Sequence, residues 1–97
     1  MEDQTSLANA RREIDRIDAG ISRLLEERFH QVEVIAEWKQ AHGQPVFVPA
    51  REEEIIRKIR ENTSGDFCAD DMENIFRAIF AACRRREERL INGSKGK

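Results

Sequence analysis

Ninety-seven residues, with 37% charged and 39% hydrophobic side chains, 2 prolines and 5 glycines, fit a single helical domain over 1–97 and argue against a sandwich or barrel. The net charge of −2 supplies no overall basic field to hold nucleic acid. A chain this short buries a modest share of its surface, so a core shared with a second copy would help it.

The first predicted helix runs from about Leu7 to His42, after a flexible stretch over 1–6. Leu7, Ala10, Ile14, Ile17, Ile21, Leu24, Leu25, Val32, Ile35 and Ala36 recur at helical spacing. Gly20 inside it costs about 1 kcal/mol against Ala without breaking it. Gly43-Gln44-Pro45 ends the helix, because Gly43 suits a left-handed cap and Pro45 cannot continue the hydrogen-bond ladder. Val46-Phe47-Val48 reads as a short extended link. Pro49 fits the first position of a second helix, about Pro49 to Glu61, with Ile55, Ile56 and Ile59 inward. Asn62 to Phe67 reads as a loop. A third helix follows from about Ala69 to Ile91, opened by Asp70, Asp71 and Glu73 at its positive end. Its stripe is Met72, Phe76, Ile79, Phe80, Cys83 and Leu90. Residues 92–97 read as a flexible polar tail.

The length of the first helix is informative. About 36 residues at 1.5 Å each span about 54 Å. A globule of this size is about 32 Å across. Two shorter helices cannot cover such a stripe, so an antiparallel second copy across a two-fold axis is expected to cover the rest. An antiparallel coiled-coil dimer without chemistry satisfies the same periodicity.

Charge placement distinguishes these readings. With about 100° per residue and Ile14 at the centre, Arg12, Arg16 and Arg23 fall on the outer side. Arg28 and Lys39 fall inside the apolar stripe, and Arg11 flanks it. Buried charges need partners. A snorkelling stem or an internal ion pair would satisfy one of them. On the second helix Glu52 shares the face of Ile55, Ile56 and Ile59, with Arg51 beside it. On the third, Glu87 continues the line Phe76, Phe80, Cys83; a pair with Arg84 or Arg86 is its simplest structural explanation. Cys83 reads as a small packing residue. Arg28, Lys39, Arg51, Glu52 and Glu87 together would suit a small di-anion carrying hydroxyl or ether oxygens. Arg11 lies about 25 Å along the axis from Arg28 and would reach such a pocket from a partner chain.

Other chemistries find little support. The sequence has no Ser/His/Asp set, no metal-ligand spacing and no glycine-rich phosphate loop. His30 and His42 read as structural or incidental. Arg84-Arg85-Arg86 is a weak nucleic-acid signal, because Glu87 and Glu88 follow at once. No apolar run nears the roughly 18 residues of a membrane span. The acidic, polar Met1 to Ala10 stretch does not fit a signal peptide. Cys68 and Cys83 lie outside any CxxC pattern, which suits reduced thiols in the cytoplasm.

The order Arg11, Glu27-Arg28, Lys39, His42-Gly43-Gln44-Pro45-Val46 and Arg51-Glu52 resembles the all-helical chorismate mutase family. The opening Arg12-Glu13-Ile14-Asp15-Arg16-Ile17-Asp18 is also similar to that family's start, and the likeness runs from about Leu7 to Leu90. It implies an all-α, intertwined antiparallel homodimer of three-helix subunits. It implies rearrangement of chorismate to prephenate, on the route to phenylalanine and tyrosine, without cofactor, nucleophile or proton transfer. By position, Arg28 and the partner's Arg11 would grip carboxylates and Arg51 would line the site. Lys39 would serve a carboxylate and the ether oxygen, and Glu52 the ring hydroxyl. Cys83 would stand at a small, often hydroxyl-bearing position, and Glu87 would donate to the ether oxygen. Within these 97 residues a fused dehydratase or dehydrogenase is not expected.

Two positions depart from the family pattern. Val48 stands where the family often has an Asp that serves the ring hydroxyl and caps the second helix. Related isochorismate pyruvate-lyases also carry an apolar, proline-containing stretch here, and a 4-amino-4-deoxychorismate mutase is a further alternative. The retained Arg51-Glu52 pair favours chorismate. Glu87 stands at a position that is Gln or Glu in the family. A carboxyl group donates only when protonated, so activity is expected to be better below neutral pH.

Overall fold

The computed structural model describes residues 2–64 and 68–95. Among them are three helices and no strand: α1 Glu2–His42, α2 Pro49–Asn62 and α3 Ala69–Lys95. The order is the expected one, but two ends differ. α1 begins before Leu7 and α3 passes Ile91. No proline or glycine precedes Leu7, and Gly93 lies in the helix without a positive φ. The last part of the predicted loop, residues 65–67, lies outside the described residues, as do residues 1, 96 and 97.

Two compact units divide the chain, Met1–Gln31 and Val32–Lys97, and the division falls within α1. The first unit carries most of the predicted apolar stripe. Leu7, Ile14, Ile17, Ile21 and Leu24 are each between 48% and 59% exposed in the single chain.

The second unit holds the core, formed by Val32, Ala36, Ile56, Phe80 and Cys83. Ile35, expected inward, is 48% exposed, so this end of α1 buries a narrower strip than its hydrophobicity suggests. Phe76 and Phe80 meet edge to face at 6.3 Å. A ladder of charges joins α2 to α3. Arg60 reaches Asp70 and Glu73, each at 2.9 Å, and Arg77 reaches Glu73 at 2.8 Å and Glu53 at 3.1 Å. Hydrogen bonds from Arg60 to Asp70 and from Arg77 to Glu73 raise both guanidinium pKa values further.

Candidate active site

α1 ends as its sequence requires. Gly43 takes φ 64°, and the Gln44 N–H donates to the Lys39 carbonyl at 2.8 Å. This is the Schellman closure, with glycine in the left-handed position. It turns the chain so that Val46 comes back over the last turn of α1. There the Lys39 Nζ donates to the Val46 carbonyl at 2.8 Å.

The same ammonium meets α3. It lies 3.1 Å from Glu87 Oε1 and 3.3 Å from Oε2, with the two side chains 14% and 6% exposed. Desolvating two charges is costly, so each needs the other. Glu87 therefore pairs with Lys39, not with Arg84 or Arg86. Arg86 instead reaches Glu33, its Nε 3.0 Å from Oε1. Cys83, four residues before Glu87 on α3, is buried and small.

Arg84 reaches across to α2 and pairs with Glu52, whose side chain is 16% exposed. Its guanidinium carbon also lies 4.9 Å from the centroid of the Phe47 ring. Arg84 and Glu87 are three residues apart, so the Lys39–Glu87 and Glu52–Arg84 pairs are neighbours along α3. Both pairs are internally neutral. Sequence reasoning named Arg84 as a partner for Glu87 and missed its pairing with Glu52 and the ring of Phe47. Its place just after Cys83, on the flank of the core-facing line, was the available signal.

Val48 is half-buried at the N-cap of α2 and makes no side-chain cap. Its carbonyl accepts the N–H groups of Arg51 at 3.1 Å and Glu52 at 3.3 Å. Arg51, on the exposed side of that first turn, pairs with Glu54. That hydrogen bond, helped by Lys58, holds the Glu54 carboxyl below its usual value. Arg11 and Arg28 belong to the first unit, Arg11 exposed and Arg28 half-buried. The second unit thus brings Lys39 against Glu87, with Cys83 one turn away. It places Val48, Arg51 and Glu52 at the start of α2. Among the described residues, no group of three His, Cys, Asp or Glu side chains is placed to hold a metal ion.

The site therefore offers a half-buried ammonium beside a buried carboxylate, and a second carboxylate held by a guanidinium. Such an arrangement can bind and orient a small polar molecule and stabilise charge developing on it.

Comparison with known proteins identifies the family and the fold. The family model for chorismate mutase type II matches residues 10–88. The bifunctional chorismate mutase/prephenate dehydratase of Aquifex aeolicus is 40% identical over 88 residues, which cover 87% of this chain and 24% of that protein. The enzyme of the same name from Neisseria gonorrhoeae is 34% identical over 80 residues, 82% of this chain and 22% of its own length. The chain thus spans about a quarter of the length of these curated relatives. The structure of chorismate mutase form II from Thermus thermophilus superposes with a TM-score of 0.83 at 34% identity, covering 86% of this chain and 94% of that one.

Proposed function

This chain belongs to the chorismate mutase type II family, and from that premise we propose that it converts chorismate to prephenate. The observation that carries the proposal is the pair between Lys39, half-buried, and the buried Glu87. The family resemblance assigns both residues to the ether oxygen, and the fold sets them 3.1 Å apart from helices distant in sequence. The reaction is an internal rearrangement: the ether C–O bond breaks as a C–C bond forms, and nothing enters or leaves. The protein's task is to hold a compact, chair-like conformer and to stabilise negative charge on the ether oxygen. Lys39 supplies positive charge there, and the resemblance assigns Glu87 a hydrogen bond to the same oxygen. Glu52 accepts the ring hydroxyl, and Cys83 leaves room beside it.

The remaining positive charge for a di-anion comes, in this reading, from Arg11, Arg28 and Arg51. Their roles rest on the sequence resemblance. Arg51 would exchange its surface partner Glu54 for substrate. Arg11 would act from a second copy in an antiparallel homodimer. The exposed row of Leu7, Ile14, Ile17, Ile21 and Leu24 supports such a dimer, because an apolar row of this length is normally covered. The reading places the enzyme in the cytoplasm. Among the described residues no helix is long and apolar enough to cross a membrane.

Val48 favours a second reading, an isochorismate pyruvate-lyase, because an uncapped apolar start of α2 also suits that activity. Incubation with chorismate and with isochorismate, followed by product identification, separates the two. Prephenate from chorismate is the expected result. Pyruvate and salicylate from isochorismate, with chorismate untouched, would replace the first reading by the second.

A further inference from the structure

Arg84 stands outside every position the family resemblance assigns, yet it holds one of them. Its guanidinium pairs with Glu52 and packs over Phe47, with the Arg84 side chain 31% exposed and that of Glu52 16%. One group thus ties a carboxylate on α2 to the joint that leads into that helix. Two consequences follow from elementary chemistry. A glutamate has three side-chain torsions to fix, and a charge-assisted contact to a planar guanidinium fixes its oxygens better than water does. A carboxylate also repels a di-anion, and a paired cation offsets that repulsion. Val48 makes both effects matter more. Of the two positions the resemblance gives to the ring hydroxyl, 48 and 52, Glu52 alone carries an acceptor side chain here.

We propose that Arg84 is a positioning residue for substrate recognition: through its pair with Glu52 and its seat on Phe47, it orients the Glu52 carboxylate toward the ring hydroxyl and offsets its charge. This inference rests on the chorismate reading above.

The test compares wild type with Arg84→Met, which keeps an apolar stem over Phe47, with Arg84→Lys, and with Glu52→Gln alone and combined with Arg84→Met. Kinetics on chorismate are followed by inhibition with two cyclic dicarboxylates that differ in the ring hydroxyl. Arg84→Met is expected to lower kcat/KM about tenfold, largely through KM, and to weaken the hydroxyl-bearing inhibitor by a similar factor. The inhibitor lacking the hydroxyl should bind within about twofold of wild type. Arg84→Lys should recover part of the loss, since it restores charge without the fork. In the Glu52→Gln background Arg84→Met should add less than about twofold.

Equal weakening of both inhibitors, or an unchanged kcat/KM in a folded Arg84→Met protein, overturns the inference. If Arg84→Met does not fold, the inhibitor comparison is made with Arg84→Lys, where equal weakening or no weakening is equally decisive. Wild type that neither binds nor converts chorismate overturns the activity reading and this inference with it. Wild type that turns over normally isolates any failure to Arg84.

Discussion

The Lys39 ammonium lies 3.1 Å from one oxygen of Glu87 and 3.3 Å from the other, joining the last turn of α1 to the middle of α3. Two roles compete at that carboxylate. As an ionised partner of Lys39 it accepts hydrogen bonds. As a donor to a substrate ether oxygen it must carry a proton. A glutamine at the same place would donate at every pH.

Glu87→Gln keeps a donor at that place and removes the charge paired with Lys39. Its kcat/KM on chorismate is therefore expected to equal or exceed that of wild type. A Glu87→Gln protein that folds but does not turn over chorismate would show that Glu87 does not act by donation.

The same pair sets the cost of losing Lys39. A lysine within an apolar stripe is replaced at little cost only where no buried carboxylate depends on it. With Glu87 6% exposed and dependent on that cation, Lys39→Met leaves a buried charge unmatched. The expected loss is about 3–5 kcal/mol, read from urea unfolding. Adding Glu87→Met should recover most of the stability and none of the activity. A single variant as stable as wild type would count against the pair.

The contrast marks what could be read from the sequence. Lys39 and Glu87 were legible because each interrupts an apolar line at helical spacing, and a helical wheel detects such interruptions. Their mutual contact was not legible, since spacing along one helix says nothing of the distance between two. Arg84 and Arg86 both flank Glu87 within a turn, so the sequence left either as its partner. Packing sends them to Glu52 on α2 and Glu33 on α1. The joint at Gly43 was legible because a left-handed cap and a following proline leave few alternatives. The start of α1 was not, because no breaker or cap marks it.

Val48→Asp should restore what the first turn of α2 lacks. Val48 sits at the N-cap with φ −124° and ψ 88°, and its side chain caps nothing. An Asp there can accept the Arg51 N–H, worth about 1 kcal/mol, and gives the substrate hydroxyl a second acceptor. Thermal melting should shift upward and kcat/KM on chorismate should rise. A fall in chorismate turnover, with isochorismate cleavage present in wild type and lost in the variant, would move the assignment to the lyase reading.

Ile17 tests the second copy. It is 48% exposed, between Ile14 at 53% and Ile21 at 50%, on one face of α1. If a partner chain covers this face, a charge at Ile17 must be buried without a counter-ion, which an interface resists strongly. Ile17→Glu is expected to halve the mass seen by sedimentation equilibrium, to lower the melting temperature and to remove activity, since Arg11 would no longer reach a partner's site. Arg23→Glu supplies the control: Arg23 falls on the opposite side of the helical wheel and is exposed, so this change should leave mass and melting temperature near those of wild type. A wild-type protein that sediments as a monomer while converting chorismate would remove both the dimer and the assignment of Arg11 to it.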